Sequence, residues 1–147
     1  MVHALEMTRD LLKRDGLLID IHPTGRPPRV EVHVGEEIHL AGHLEETNGF
    51  LEYFQADDAL KEVTGRGLFE LERQGLFTFL LHAPTITALV DHLAAEWLDA
   101  VLPEETIARA AELLGEPGEG AAGHSGDRPE IVVREIIHIA RFRSSGR

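Results

Sequence analysis

Nine histidines punctuate this chain of 147 residues, and His33, His39 and His43 fall close together in one short stretch. Imidazole nitrogens are the commonest protein ligands for divalent transition metals, so their placement is the first question. The stretch "RVEVHVGEEIHLAGH" alternates strictly, which predicts two strands of a hairpin. A three-residue turn at Gly35-Glu36-Glu37 puts Val30, Val32, Val34, Ile38 and Leu40 on one face. It leaves Glu31, His33 and His39 on the other, with His33 opposite His39. A two-residue turn would instead set His39 beside the valines. The first register is preferred because it keeps the apolar set together. It offers two imidazoles to one divalent ion, with Glu31 or His43 completing a tetrahedron. The spacing matches no established ligand motif, and the same residues also read as solvent-facing positions of a hairpin. The second constellation is Asp20 and His22, at the carboxyl end of "GLLIDIHP". A carboxylate on an otherwise apolar strand needs a hydrogen-bond partner or a raised pKa. Asp20 is therefore a candidate general base with His22 beside it, and it equally reads as a structural carboxylate bonded to nearby backbone.

The elements that would carry these residues follow from periodicity. Leu5, Thr8, Leu11 and Leu12 predict a helix over 3–14, stopped by Gly16. Leu17, Ile19 and Ile21 alternate with Leu18, Asp20 and His22. A strand apolar on both faces is expected to be covered on both, as in parallel α/β sheets. "PTGRPP" at 23–28 is a loop. Ala59, Leu60 and Val63 mark a helix in "QADDALKEVTGRG", with Asp57 and Asp58 placed at its start to complement the dipole. "LFELERQGLFTFLLH" reads as two strands around a Gln-Gly turn. A helix over 85–102 follows, with Trp97 inward, then Pro103 and a helix over 104–114. Residues 115–128 read as a flexible loop, "EIVVREIIHIARFR" as a long strand, and Arg141, Arg143 and Arg147 as a frayed basic tail.

Composition bounds the partners. Twenty-six acidic against fourteen basic residues give a net charge of −12. That field repels phosphate backbones and anionic membrane surfaces, so neither nucleic acid nor membrane is expected. The absence of cysteine removes disulfides, thiolate nucleophiles and cysteine-ligated metals. With no apolar run near the ~20 residues of a span, the expectation is a soluble, cytoplasmic protein. Two lysines among many arginines suggest a GC-rich bacterial source.

The order of helix, charged turn, apolar strand, helix and late strands resembles the C-terminal half of class I S-adenosylmethionine-dependent methyltransferases. Leu12, Lys13, Gly16, Leu17 and Leu18 match the family's helix–turn–strand element. Asp10, Arg14 and Asp15 depart from it. "ADDALKEVTGRGLFELER" resembles the family's next helix and sixth strand, and "REIIHIARFR" its seventh strand, which returns antiparallel between the fifth and sixth. The resemblance implies an α/β (α+β-like) fold over 1–147: a partial Rossmann-like half-sheet, with the hairpin and a helical pair added. The family's glycine-rich cofactor loop has no counterpart before residue 16, so no cofactor is expected beyond a divalent metal, and a self-sufficient methyltransferase is not expected.

In the family a further strand lies against the one that Gly16, Leu17, Leu18, Ile19, Asp20 and Ile21 would form. Its absence predicts an unprotected edge and hence a homodimer, or a methyltransferase-type partner chain. Three functions follow as expectations. The first is a non-catalytic, accessory dimeric binding module. The second is one subunit of a split methyltransferase. The third is a small metal-binding protein or enzyme using the histidine-rich hairpin.

Overall fold

A computed structural model of the chain describes residues 1–115 and 128–145. The expected loop over 115–128 therefore lies, apart from its two end residues, outside the described residues, as does Arg147. In chain order the elements are α1 (Val2–Leu11), β1 (Leu17–Pro23), β2 (Arg29–Val34), β3 (Glu37–His43) and β4 (Glu45–Glu46). Then come α2 (Leu51–Gly65), β5 (Phe69–Ala83), α3 (Ile86–Glu96), β6 (Ala100–Val101), α4 (Glu104–Leu114) and β7 (Glu130–Ser144). The fold is mixed α/β with antiparallel pairing, and no helix among the described residues is long and apolar enough to cross a membrane. The chain divides into two compact units: Met1–Arg26, Phe50–Thr78 and Ile136–Arg147 form one, and Pro27–Gly49 and Phe79–Glu135 the other.

In the first unit β1 pairs antiparallel with the second part of β7, Leu17 opposite Arg143 through Pro23 opposite Ile137. Partnered residues share a face, so Leu18, Phe142 and Ala140 lie together and pack with Leu60, Val63 and Phe69. Val2, Leu5 and Leu12 close this core, and α1 lies against α2 with Arg66 reaching Glu6 at 2.6 Å. The opposite face is uncovered: Ile19 is 51% and Ile21 58% exposed. The expectation of a strand covered on both faces is thus corrected. Antiparallel pairing leaves one face to the helices and the other to solvent. β1 ends the sheet, with β7 as its one paired strand among the described residues.

The second unit is built on β2, which pairs antiparallel with the first part of β7 and with β3. Val30, Ile131 and Val133 form its core with Leu44, Ala83, Leu89 and Leu93. Thr85 caps α3, its hydroxyl accepting from the Ala88 amide at 3.1 Å. Glu104 and Glu105 occupy the first turn of α4.

Four local expectations change. Gly35 adopts φ +59° and the hairpin turns through Gly35-Glu36 alone, pairing Val34 with Glu37 and His33 with Ile38. A glycine at the first central position is what a tight two-residue turn requires. That preference overrides segregation of the apolar set, and Ile38 is left exposed. Residues 69–83 form one continuous strand rather than two, because β7 offers an equally long partner and Gly75 does not take a positive φ. The helix expected over 85–102 stops at Glu96: Trp97 leaves the helical region at φ −137°, and Ala100–Val101 pairs with Glu45–Glu46 instead. Arg141 and Arg143 are not a frayed tail, since both lie in β7 and form ion pairs with Glu72.

Candidate metal centre

The hairpin histidines do not converge. With His33 opposite Ile38 and His39 opposite Val32, the two rings stand on opposite faces of the ribbon, and His43 pairs with Arg29. His33 instead bonds Glu31 at 3.1 Å, and His39 bonds Glu37 at 3.2 Å. Glu31 is 1% exposed and is held by the Arg134 guanidinium, whose Nε donates to both carboxylate oxygens at 3.1 Å. Burial would raise its pKa. Hydrogen bonds from His33 and Arg134, with the charges of Arg134 and Arg29, outweigh that and hold it below the usual carboxylate range. The Glu31 cluster is a buried structural ion pair.

A different set converges in the first unit. Asp20 and His22, two residues apart on β1, point to the helix-covered face, and register brings His138 of β7 opposite His22. The two imidazoles meet edge to face with centroids 5.3 Å apart. Asp57 enters from α2. That helix begins at Leu51, a turn and a half earlier than its charge pattern suggests, so Asp57 sits within it rather than at its start. Among the described residues, Asp20, His22 and His138 are the group of three that brings ligand atoms within 4.8 Å of one another.

The hydrogen bonding at this point is unusual. His22 Nδ1 lies 2.7 Å from Asp20 Oδ2, and His22 Nε2 lies 3.2 Å from Asp57 Oδ1. A neutral imidazole donates from one nitrogen and carries a lone pair on the other. Either neutral tautomer therefore turns a lone pair toward one of two carboxylates, and the ring's side chain is only 10% exposed. A ring whose Nε2–H donates to Asp57, with a cation shared by Nδ1 and Asp20, satisfies both acids. The same Asp20 oxygen lies 3.7 Å from His138 Nδ1, a buried nitrogen with no hydrogen-bond partner. Ligand atoms on a tetrahedral zinc stand ~3.4 Å apart, given metal–ligand bonds of about 2.0–2.1 Å. The 3.7 Å pair already fits that spacing, and the 2.7 Å pair needs to open by about 0.7 Å.

Two of these four residues were visible in the sequence, Asp20 and His22. His138 and Asp57 were missed, because each joins the site only through the β1–β7 register and the docking of α2. The one available signal was the alternation of "EIIHIA", which sets His138 apart from its apolar neighbours. Comparison of the chain with protein-family models, with curated proteins and with solved structures gives no match.

Proposed function

We propose that the protein binds a first-row divalent transition metal through Asp20, His22 and His138. The observation that carries the reading is the convergence of a doubly carboxylate-flanked imidazole with the unpartnered Nδ1 of His138 on one oxygen of Asp20. Two imidazoles and one carboxylate form a ligand set that leaves coordination positions open for water or a small molecule. Asp57 then orients His22 from its far nitrogen, the usual carboxylate–histidine–metal relay. Titration with Co2+, followed by ligand-field absorption and by calorimetry with Zn2+, tests this. We expect one saturable site, lost in Asp20→Asn and His138→Ala and weakened about 10–100-fold in Asp57→Asn. No saturable heat and no cobalt spectrum at neutral pH would reject it.

A second reading, the accessory dimeric module related to methyltransferases, is supported by the exposed Leu17, Ile19 and Ile21 on a strand that ends its sheet. The pairing of β7 with both β1 and β5 also accords with the seventh-strand resemblance. Sedimentation of the wild type and of Ile19→Lys checks it: a dimer converted to monomer by the lysine supports association through β1, and a wild-type monomer at micromolar concentration rejects it.

A further inference from the structure

Where α1 ends, a hollow of about 370 Å³ is lined by Arg9, Asp10, Lys13 and Arg14, with Ser144 and Ser145 at the close of β7. Three basic side chains against one carboxylate leave two positive charges here, in a chain whose net charge is −12. Lys13 and Arg14 form no ion pair among the described residues. Arg9 is fixed by one bond, its Nη2 donating to the Ser145 carbonyl at 3.1 Å, while its Nε is buried with no hydrogen-bond partner. Leu12 is the single apolar side chain of the lining, so a polar occupant suits it. We propose that this hollow binds a small phosphate monoester, whose doubly charged head accepts from the Nε–H of Arg9 and pairs with Lys13 and Arg14.

Cations at the end of α1 also complement its carbonyl dipole, and that alone accounts for the charges of Lys13 and Arg14. It does not account for Arg9, whose buried N–H lacks an acceptor, a costly state for a charged donor. An oxygen of a bound anion supplies that acceptor, and the Ser144 and Ser145 hydroxyls can donate to the same head. Guanidinium, ammonium and hydroxyl donors together make up a phosphate-recognising set, and two net charges answer a dianion better than a monocarboxylate. The turn that carries Lys13 and Arg14 is held in place. The Gly16 amide donates to the Lys13 carbonyl at 2.8 Å, and Arg143 donates to the Asp15 carbonyl at 3.5 Å. Sites for small ligands run upward from about 300 Å³, which leaves room for the head and a short substituent. Screening over ~8 Å at physiological salt lets this cluster, rather than the net charge, govern so small a ligand.

Calorimetry on the full-length protein at pH 8 and about 0.15 M salt decides the matter, with methyl phosphate and its singly charged counterpart dimethyl phosphate as probes. EDTA in the buffer keeps metal off Asp20, His22 and His138, so the outcome is independent of the metal reading. We expect one saturable site for methyl phosphate and binding about tenfold or more weaker for dimethyl phosphate, the worth of one charge-assisted hydrogen bond. Lys13→Gln, at an exposed position, should weaken methyl phosphate about three- to tenfold. Arg9→Lys keeps the charge, loses the Nε–H and should weaken it about tenfold. Arg26→Gln, an exposed basic position outside the hollow, should leave it unchanged. Four results each overturn the proposal: no saturable heat with methyl phosphate, equal affinity for the two esters, an undiminished Arg9→Lys, or the same weakening in Arg26→Gln as in Lys13→Gln.

Discussion

Glu135 offers the sharpest test of the energetics in the second unit. It is 8% exposed, shares the core-facing side of β7 with Ile131 and Val133, and its carboxyl is pushed up to about 7. Burial is the larger cause, and the charge of Glu46 adds to it. Glu46 is itself fixed by Trp97, whose indole N–H donates to it at 3.0 Å. Because the folded chain holds this proton more tightly than the unfolded chain, with its ordinary value of 4.5, stability is full below about 4.5 and falls as pH rises to about 7. At about 1.4 kcal/mol per tenfold change in proton affinity, the loss is roughly 3 kcal/mol at most by pH 8. Glu135→Gln keeps the shape of the protonated acid and has no proton to lose. The variant and wild type should therefore match near pH 4.5, and the variant should gain up to about 3 kcal/mol by pH 8, a rise of about 1–2 M in urea midpoint. Urea unfolding at pH 5, 6, 7 and 8, followed by fluorescence of the single tryptophan, reads the unit that contains both glutamates. A wild-type-minus-variant difference that stays constant across that range would refute the argument.

Arg134→Met strands the buried Glu31 carboxylate and should cost about 3 kcal/mol at neutral pH by urea unfolding. Since Glu31 is held below its ordinary value, its contribution exists above about 4.5 and is lost as pH falls, so that cost should shrink in acid. Gly42→Ala drives a Cβ into the Thr106 hydroxyl and methyl where α4 crosses β3, and should lower stability by about 2 kcal/mol, partly recovered by adding Thr106→Ala. Saturating Zn2+ at about 100 times its dissociation constant should raise wild-type stability by about 2.7 kcal/mol and leave His138→Phe unchanged, as read by thermal melts followed through α1 and α2 helicity. Should His138→Phe respond to zinc like the wild type, His138 is not a ligand.

What the sequence disclosed and what it concealed divide by the range of the interaction. The helices α1, α2 and α4 and the strands β1 and β7 were legible because each has its own apolar period, and Asp20 stood out because a charge interrupts such a period. The hairpin register was misread through weighing apolar segregation above turn chemistry, although Gly35 marked the tight turn. The ends of α3 and the continuity of β5 depended on partners far along the chain, β4 for the one and β7 for the other. The site was half legible for the same reason. Asp20 and His22 are neighbours by strand alternation, a local property. His138 and Asp57 come from 116 and 35 residues beyond His22, respectively, and nothing in their immediate surroundings announces where they will dock.

The cost of the first unit's polar cluster bears on why it is there. Leu18 and Phe142 show that the β1–β7 face can be filled with hydrocarbon, and the next two rungs on that face instead set Asp20 against Ala140 and His22 against His138. A buried polar group without a partner costs about 1–3 kcal/mol, and His138 Nδ1 is such a group. A structural role for the cluster would be served by an arrangement in which every nitrogen and oxygen is bonded. The observed one leaves His138 Nδ1 3.7 Å from the Asp20 oxygen that His22 already bonds, too far for a hydrogen bond. A cation between them, taken by an unprotonated Nδ1 and the carboxylate oxygen, removes the penalty. The same cation lets His22 keep one hydrogen, on the nitrogen facing Asp57. One species thus resolves both anomalies.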